Sequence, residues 1–463
     1  MKTVRLAAGL LQVLVLVIVS AVMIPGSDPF QVSAHQCVMQ LSTRGSTREL
    51  IPGSNRFQIA ETGNIEPSSA VAYGGGHHVV VYTRLNRESN KSVSASVMPG
   101  QDDNPTDDYR ISDQEFDCKQ PAIAYHAKSG LFIILYKHHH NEIYAQLFSP
   151  TTTDGKIGPV VLISDNATEK GHPVIACNQL NGVCLVAYQQ DGTDIKGRYI
   201  GVNDEKFVVL SDVYDLASVI AVDQPRLAWG RDQGTFLLAY NEQAAAGETR
   251  PSFTHLYDQY DPTASDIRLH PSAPVLPAEL FPPDNDALVS DIAFDPCTEQ
   301  FVLTIDYDEA GNPSGFDLWA AMVHASQPNT TGVFTIANST AKEHGGAIHF
   351  ITPDDAHPPC GNRDRLVVAY INDQAGLLAA ELRGNSHPSA PSYEVDPVKQ
   401  HLLVANHTIM YQVSSPSLTH HAQDMGVLVV YEHHYLASEE YDIWGNFLSI
   451  NTYNYLYLPL VMR

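Results

Sequence analysis

One short pattern recurs along this 463-residue chain and limits its fold more than any other feature. It reads Pro, Ser or Gly, then a variable residue, a branched aliphatic, a small residue, and an aromatic or its substitute. Copies start at Ser69, Pro121, Pro173 and Pro225, each 52 residues after the last, and end at Tyr73, Tyr125, Cys177 and Trp229. Looser copies run Ser290 to Phe294, Gly346 to Phe350 and Pro416 to His420, which brings the number to seven.

After each copy comes a short polar turn and an apolar run, usually closed by tyrosine: Val79 to Tyr82, Ile133 to Tyr136, Leu185 to Tyr188, Leu237 to Tyr240, Val367 to Tyr370 and Leu428 to Tyr431. Each pair reads as a hairpin buried on both faces. A third element opens with an acidic residue and an aliphatic, as in Glu142-Ile143, Asp194-Ile195, Asp317-Leu318 and Asp442-Ile443; a fourth ends in Ile111-Ser112-Asp113, Ile163-Ser164-Asp165 or Leu210-Ser211-Asp212. Four short strands per unit with no helical periodicity between them predict an all-β chain: a single β-propeller of about seven four-stranded blades. One such sheet cannot cover both of its apolar faces, whereas stacking in a ring buries them and removes the bare edges. Phe57 to Ala60 and the tail Tyr453 to Val461 compete to close the seventh blade, and Cys37 to Leu41 is a candidate for one strand more.

Lys2 and Arg5, the apolar run Leu6 to Val19, and the small residues Ser20 and Ala21 follow the order of a secretory signal. Cleavage after Ala21 or after Ala34 separates a leader, 1–34, from a propeller, 35–463. Read on to Ile24, the same run is long enough to remain as an anchor. With 52 acidic against 27 basic residues the net charge is −25, which repels phosphate backbones and excludes nucleic acid as a partner. The 44% hydrophobic content provides for a large core. No second membrane segment is expected, and the chain is expected to be a monomer.

Six cysteines in an exported chain suggest disulfides. In three units the aromatic of the first strand is followed seven residues later by phenylalanine: Tyr125 and Phe132, Trp229 and Phe236, Phe294 and Phe301. Cys177 and Cys184 take both places in the third unit, so a bridge across that hairpin is expected. Cys297 and Cys360 fall in first-hairpin turns of neighbouring units and are paired on that ground, which leaves Cys37 and Cys118. No cysteine spacing suits a zinc finger.

Loops between second and third strands share one face of a propeller with the crossings between blades, and ligands are expected there. On that face lie His138-His139-His140, Asp191 to Asp194, Asn241 to Ser252, Asp306 to Asp317 and Glu432-His433-His434, with the crossings Asp212 to Asp223 and Pro271 to Asp286. The ligand-face candidates are His138, His140, Asp194, Glu432, His433 and His349. The last occupies a slot held elsewhere by Ala72, Ala124, Ala176, Ala228 and Ala293, where a hydrogen-bonded, gap-filling histidine is the simpler expectation. Asp306, Asp308 and Asn312 gather hard oxygen ligands around Gly311 and make calcium the one candidate cofactor, although the full calcium-loop motif is missing. The histidine run suits zinc or copper by chemistry, yet adjacent residues at a strand end point to opposite sides, so a solvated tract is expected. Sequons stand at Asn90, Asn166, Asn329, Asn338 and Asn406.

The units resemble the repeats of bacterial secreted β-propeller proteins, with a Pro-x-Ile-Ala-Tyr first strand, an aliphatic second strand and an Asp-Ile-Tyr/Trp-Gly third strand, here carried by Pro121 to Tyr125, Leu185 to Tyr188, Glu142 to Ala145 and Asp442 to Gly445. The ending Tyr457-Leu-Pro-Leu-Val-Met-Arg463 is similar to the short tail of exported proteins of filamentous bacteria. The likeness covers Ser69 to Leu448, is weakest in units five to seven, and implies a secreted propeller without naming a ligand. The Ser-x-Asp-x-Gly-x-x-Trp box of sialidase-like propellers is absent. A binding module for an extracellular glycan or protein is therefore the leading expectation. A secreted carbohydrate-active hydrolase, sialidase-like or other, and a structural surface protein are the alternatives. The many carboxylates of the face single out no acid and nucleophile.

Overall fold

A computed structural model describes residues 46–454 apart from 53–55, 64–67, 86–89, 101–104, 113–116, 140, 165–169, 207, 219–224, 231–233, 244–248, 261–266, 272–284, 309–314, 326–329, 352–364, 386–391, 396–401, 407–410, 422–425 and 437–439. The described residues form strands, turns and bends and no helix, hence no helix long and apolar enough to cross a membrane.

Seven antiparallel sheets follow one another in chain order. Blade I consists of Ser69–Gly74, His77–Leu85, Lys91–Pro99 and Thr106–Arg110; blade II of Lys119–His126, Leu131–Lys137, Ile143–Phe148 and Lys156–Leu162. Blade III consists of Lys170–Cys177, Cys184–Gln190, Asp194–Val202 and Val208–Ser218; blade IV of Arg226–Gly230, Thr235–Gln243, Thr249–Tyr260 and Ile267–Pro271; blade V of Asp286–Asp295, Gln300–Asp308, Phe316–His324 and Thr330–Ala337. In blade VI, Glu343–Ile351, Arg365–Asn372 and Gly376–Asn385 are followed by two short outer strands, Ser392–Val395 and Leu402–Asn406, which share the edge of the third. Blade VII joins Tyr411–His421, Gly426–Tyr435 and Glu440–Asn454 to the beginning of the chain: Phe57–Gly63 pairs with Tyr441–Gly445, and Ser46–Pro52 with Leu448–Asn454. Phe57 to Ala60 thus supplies the closing strand. Of the rival closer, Tyr453 and Asn454 extend the third strand and the rest lies outside the described residues, as does Cys37 to Leu41. First strands of successive blades adjoin one another, and that of blade VII adjoins that of blade I, so the ring closes as a seven-bladed propeller.

The burial pattern explains why each blade needs its neighbours. Leu131–Lys137 is buried along its whole length. Its Ile133 and Leu135 pack with blade III, while Ile134 and Tyr136 pack with blade I. The tyrosine recurs as Tyr82, Tyr136, Tyr188, Tyr240, Tyr370 and Tyr431, each buried and turned toward the preceding blade, with Ile305 in that place in blade V. Burying one such side chain contributes about 1.5–3 kcal/mol, a gain no isolated sheet obtains on both faces.

The hairpin ends show how neighbouring blades constrain each other's sequence. Tyr125 packs against Phe132, and Phe294 against Phe301, with ring centres 5.0 Å apart and planes tilted by about 50°. Each ring needs a glycine in the blade before it: a Cβ at Gly74 would collide with Tyr125, and one at Gly230 would meet Phe301 at 2.9 Å and Phe294 at 3.3 Å. Blade III has the expected disulfide, Cys177–Cys184, between directly paired residues. The preceding blade offers it His126 in place of glycine, and the imidazole spans the gap to hydrogen-bond the Gly182 carbonyl from Nε2 at 2.6 Å. Cys118 is buried and Cys297 half-buried, but their assigned partners Cys37 and Cys360 lie outside the described residues.

Candidate functional site

We call upper the face where second strands end and third strands begin. First strands start there, and in blades II, III, V, VI and VII they carry a bulge within their first few residues. At three of these bulges the backbone is left-handed, at Gln120 (φ 54°), His172 (φ 49°) and Gly345 (φ 65°). Amides near the bulge lose their ladder partner, and a buried amide must find another. Neighbouring side chains supply it. Gln120 Oε1 accepts from His172 N at 3.2 Å, Asn241 Oδ1 accepts from Val289 N at 2.7 Å, and the two carboxylate oxygens of Asp306 accept from Gly345 N at 3.1 and 3.0 Å.

Asn241 and Asp306 are equivalent residues. Each immediately follows the position of the buried tyrosine on a second strand and so points to the next blade; Lys137 and Glu432 hold the same place in blades II and VII. Glu432 is 3% exposed and accepts a hydrogen bond from Ser414 Oγ at 3.1 Å. Between blades IV, V and VI a half-buried cation stands near two buried carboxyls. Arg226 donates through Nε to the Ser290 carbonyl, and its charge favours the ionised forms of Asp291 and Asp306. Burial is the larger effect and raises the pKa of both carboxyls, although Asp291 also accepts from Ile348 N at 2.9 Å.

Two corners of the upper face carry rings. In blade II, His138 lies edge-on to Tyr144 at 5.2 Å, and the Tyr144 hydroxyl donates to Glu142 at 2.8 Å. Burial and that carboxylate push the Tyr144 pKa up to about 12. In blade VII, buried His433 lies against Trp444 at 5.5 Å and Tyr435 at 4.6 Å, and the Arg56 guanidinium stands over Trp444 at 5.4 Å. Desolvation, aided by Arg56, lowers the His433 pKa to about 4. On the opposite side of the sheet, half-buried His434 and Tyr441 stack parallel, 4.1 Å apart and 2° from coplanar.

The remaining candidates are dispersed. Asp194 opens the third strand of blade III opposite Gln190. His349 lies deeper, in the seam between blades VI and VII, where its Nε2 is 3.1 Å from Nδ1 of His420 and burial lowers its pKa to about 4. Asp306 and Asp308 belong to the second strand of blade V, where Asp308 pairs with Asp286 and Phe316. Asn312, like His140, is outside the described residues, and among those described no three His, Cys, Asp or Glu side chains gather as a metal cluster. Arg226, Asp291, His420, Tyr441 and Trp444 were not singled out from sequence. The first two had a legible signal, because their slot is otherwise small or aliphatic: Ala70, Ala122, Val174, Ala347, Ser417.

No protein-family model matches the sequence, and no curated protein is significantly similar to it. Solved structures of similar fold include the polysaccharide lyase Uly1, at 7% identity, TM-score 0.49 and coverage of 82% of this chain and 90% of the lyase. The BP39L lectin from Burkholderia pseudomallei matches at 11% identity and TM-score 0.49, over 83% of this chain and 99% of the lectin. A mutant of the NanB sialidase from Streptococcus pneumoniae matches at 9% identity and TM-score 0.43, over 93% and 72%. The neighbours are thus propeller lectins and carbohydrate-active enzymes, all distant, and the likeness is one of fold, which the strand pairing of this chain establishes independently.

Proposed function

We propose that this protein is an exported glycan-binding propeller of the secreted bacterial type, and that its ligand docks on the upper corner of blade VII. The observation that carries this reading is the parallel, half-buried ring pair His434 and Tyr441. A sugar ring presents an apolar C–H face with hydroxyls at its rim, and a flat aromatic surface held by packing meets that face with little entropy left to lose. Strand pairing fixes the platform: His434 is directly opposite Tyr441, and the neighbouring pair Glu432 and Ile443 is buried against blade I.

Binding is favoured over hydrolysis by the way the carboxylates are used. A glycosidase needs one carboxyl to protonate the leaving oxygen and a second across the scissile bond. Asp291, Asp306 and Glu432 instead direct oxygens to Ile348 N, Gly345 N and Ser414 Oγ within and between blades. The test is a polysaccharide array followed by titration with the best oligosaccharide. Tyr441→Ala is expected to weaken binding about tenfold, in line with the roughly 0.5–1.5 kcal/mol of an aromatic contact. Unchanged affinity in both Tyr441→Ala and His434→Ala overturns the site. Turnover of a chromogenic glycoside, lost on a single Asp or Glu substitution, overturns the binding-only reading.

A further inference from the structure

The second strands of blades II and VII end differently. In blade II the strand stops at Lys137 and the chain turns back through Asn141, left-handed at φ 62°, so the rings of His138 and His139, expected from sequence to diverge, have their centres 4.2 Å apart. In blade VII the strand continues to Tyr435 and the alternation of side chains holds. His433 shares the side of Tyr431 and Trp444, which pack with blade VI, and His434 the side of Ile443, which packs with blade I. The ring pair His434 and Tyr441 is therefore one wall of the seam where the ring closes, blade VII against blade I.

The floor of that seam is apolar, because Ile443 of blade VII and Val80 and Tyr82 of blade I belong to one buried cluster. Tyr441 stands one step above this floor, two residues before Ile443 on a strand that descends. Arg84 stands one step above it on the other wall, two residues after Tyr82 on a strand that ascends. Its Nη1 forms an ion pair with Oδ2 of Asp108, while the Tyr82 hydroxyl donates to Oδ1 of Asp108 at 3.0 Å and lies 3.1 Å from Ser96 Oγ. Both charged groups are thus held in place on the wall, yet solvent reaches them: 31% of the Arg84 side chain and 40% of that of Asp108 is exposed. Packed sheets stand about 10 Å apart, close enough for one saccharide unit to reach from wall to wall.

We infer that the ligand of this corner is a neutral glycan, gripped through a vicinal diol by Arg84 and Asp108 while its C–H face lies on Tyr441 and His434; the inference rests on the glycan-binding reading of that ring pair. An ionised carboxylate offers about four lone-pair sites, of which Tyr82 and Arg84 take two, so Asp108 keeps capacity to accept a ligand hydroxyl. The guanidinium carries its N–H donors in a rigid fork, so Arg84 donates to the neighbouring hydroxyl from beside that acceptor. Adjacent hydroxyls of a pyranose meet one acceptor and one donor at a fixed spacing, which is a test of stereochemistry. Charge disfavours acidic glycans: Asp108 already neutralises Arg84, and a uronate or sulfate would have to displace it on a chain of net charge −25.

The experiment is calorimetric titration of the full chain with mannan and with two matched polymer pairs, dextran against dextran sulfate and galactan against polygalacturonate. A neutral polymer is expected to bind at least tenfold more tightly than any acidic one, with an affinity that changes less than about twofold from about 50 to about 500 mM NaCl. Asp108→Asn, which keeps an acceptor for Tyr82, and Arg84→Met, which keeps the aliphatic stem, each weaken that binding about tenfold at unchanged melting temperature. Acidic polymers bound as tightly as neutral ones, or no neutral polymer bound at all, overturn the ligand class. Folded Arg84→Met and Asp108→Asn variants that bind as the wild type does, while Tyr441→Ala loses affinity, overturn the diol grip and leave the ring platform standing. The reverse pattern, loss in Asp108→Asn with none in Tyr441→Ala, overturns the platform and keeps the grip.

Discussion

Blades I to III and blades V to VII fill equivalent seams by different means. In the regular blades the second residue of the repeat is Ala70, Ala122 or Val174, and the seam is closed by aliphatic and aromatic contacts. In blades IV and V the same slot holds Arg226 and Asp291, and in blades VI and VII deeper slots hold His349 and His420. An apolar seam accepts any neighbour of suitable shape, which is how a repeat retains a constant length. A polar seam accepts only a neighbour that offers the complementary group, so it assigns each blade one place in the ring, as polar pairs set register in other assemblies. The irregular half adds buried charged and histidine groups to its seams, whereas the regular half relies more on apolar packing with a few specific contacts such as Gln120 with His172.

The difference is open to direct attack. Arg226→Ala leaves two buried carboxylates without their shared cation and is expected to cost about 3–5 kcal/mol, seen as a large fall in the urea midpoint. Combining it with Asp291→Ala should cost less than the sum of the single losses; strict additivity would mean that the two side chains do not share a seam. Acid comes next. His255, His349 and His433, in the seams from blade IV to blade VII, have pKa values lowered by burial to about 4. The unfolded chain takes up their protons near pH 6.5 and the folded protein only near 4, so their stability is complete above about pH 6.5 and is lost as pH falls through that window. Each therefore disfavours the folded state in acid relative to neutral pH. His349→Gln should flatten the fall in melting temperature between pH 6.5 and 4, and a profile with the wild-type slope would locate the acid sensitivity elsewhere.

The regular half should yield smaller effects. Replacing both Cys177 and Cys184 by alanine is expected to cost about 2–3 kcal/mol from loop closure. Introducing tyrosine at 177 and phenylalanine at 184 should restore stability only when combined with His126→Gly, and recovery without that change would contradict the packing rule drawn from Gly74 and Gly230. Smallest is Gly74→Ala, at about 1–2 kcal/mol, since its Cβ displaces the Tyr125 ring; a neutral result would show that the ring has room to move.

How much of this was legible depended on how far each effect reaches along the chain. The blades were legible because every second strand is apolar on both faces, and the disulfide because Cys177 and Cys184 jointly take the places of Tyr125 and Phe132 one blade earlier. Closure by Phe57 to Ala60 was legible as one of two options. The oxygens of Asp306 were not: they are occupied by Gly345 N, 39 residues away, through a bulge that no local pattern announces. His420, 71 residues from His349, was hidden in the same way. The turn at His138 was missed because Lys137-His138-His139 and Glu432-His433-His434 look alike as sequence, and only the left-handed Asn141 ends one strand where the other continues.

The pairing of Ser46–Pro52 and Phe57–Gly63 with the one long strand Glu440–Asn454 also sets how the ring bears force. The chain enters and leaves by the lower end of blade VII, opposite the ring pair. A pull between Ser46 and the upper end of the sheet runs parallel to these strands and perpendicular to their hydrogen bonds, so the whole row is sheared together. A pull that separates Ser46 from Asn454 opens the same row one bond at a time. This row of pairs thus resists a pull along the strands far better than one that separates Ser46 from Asn454.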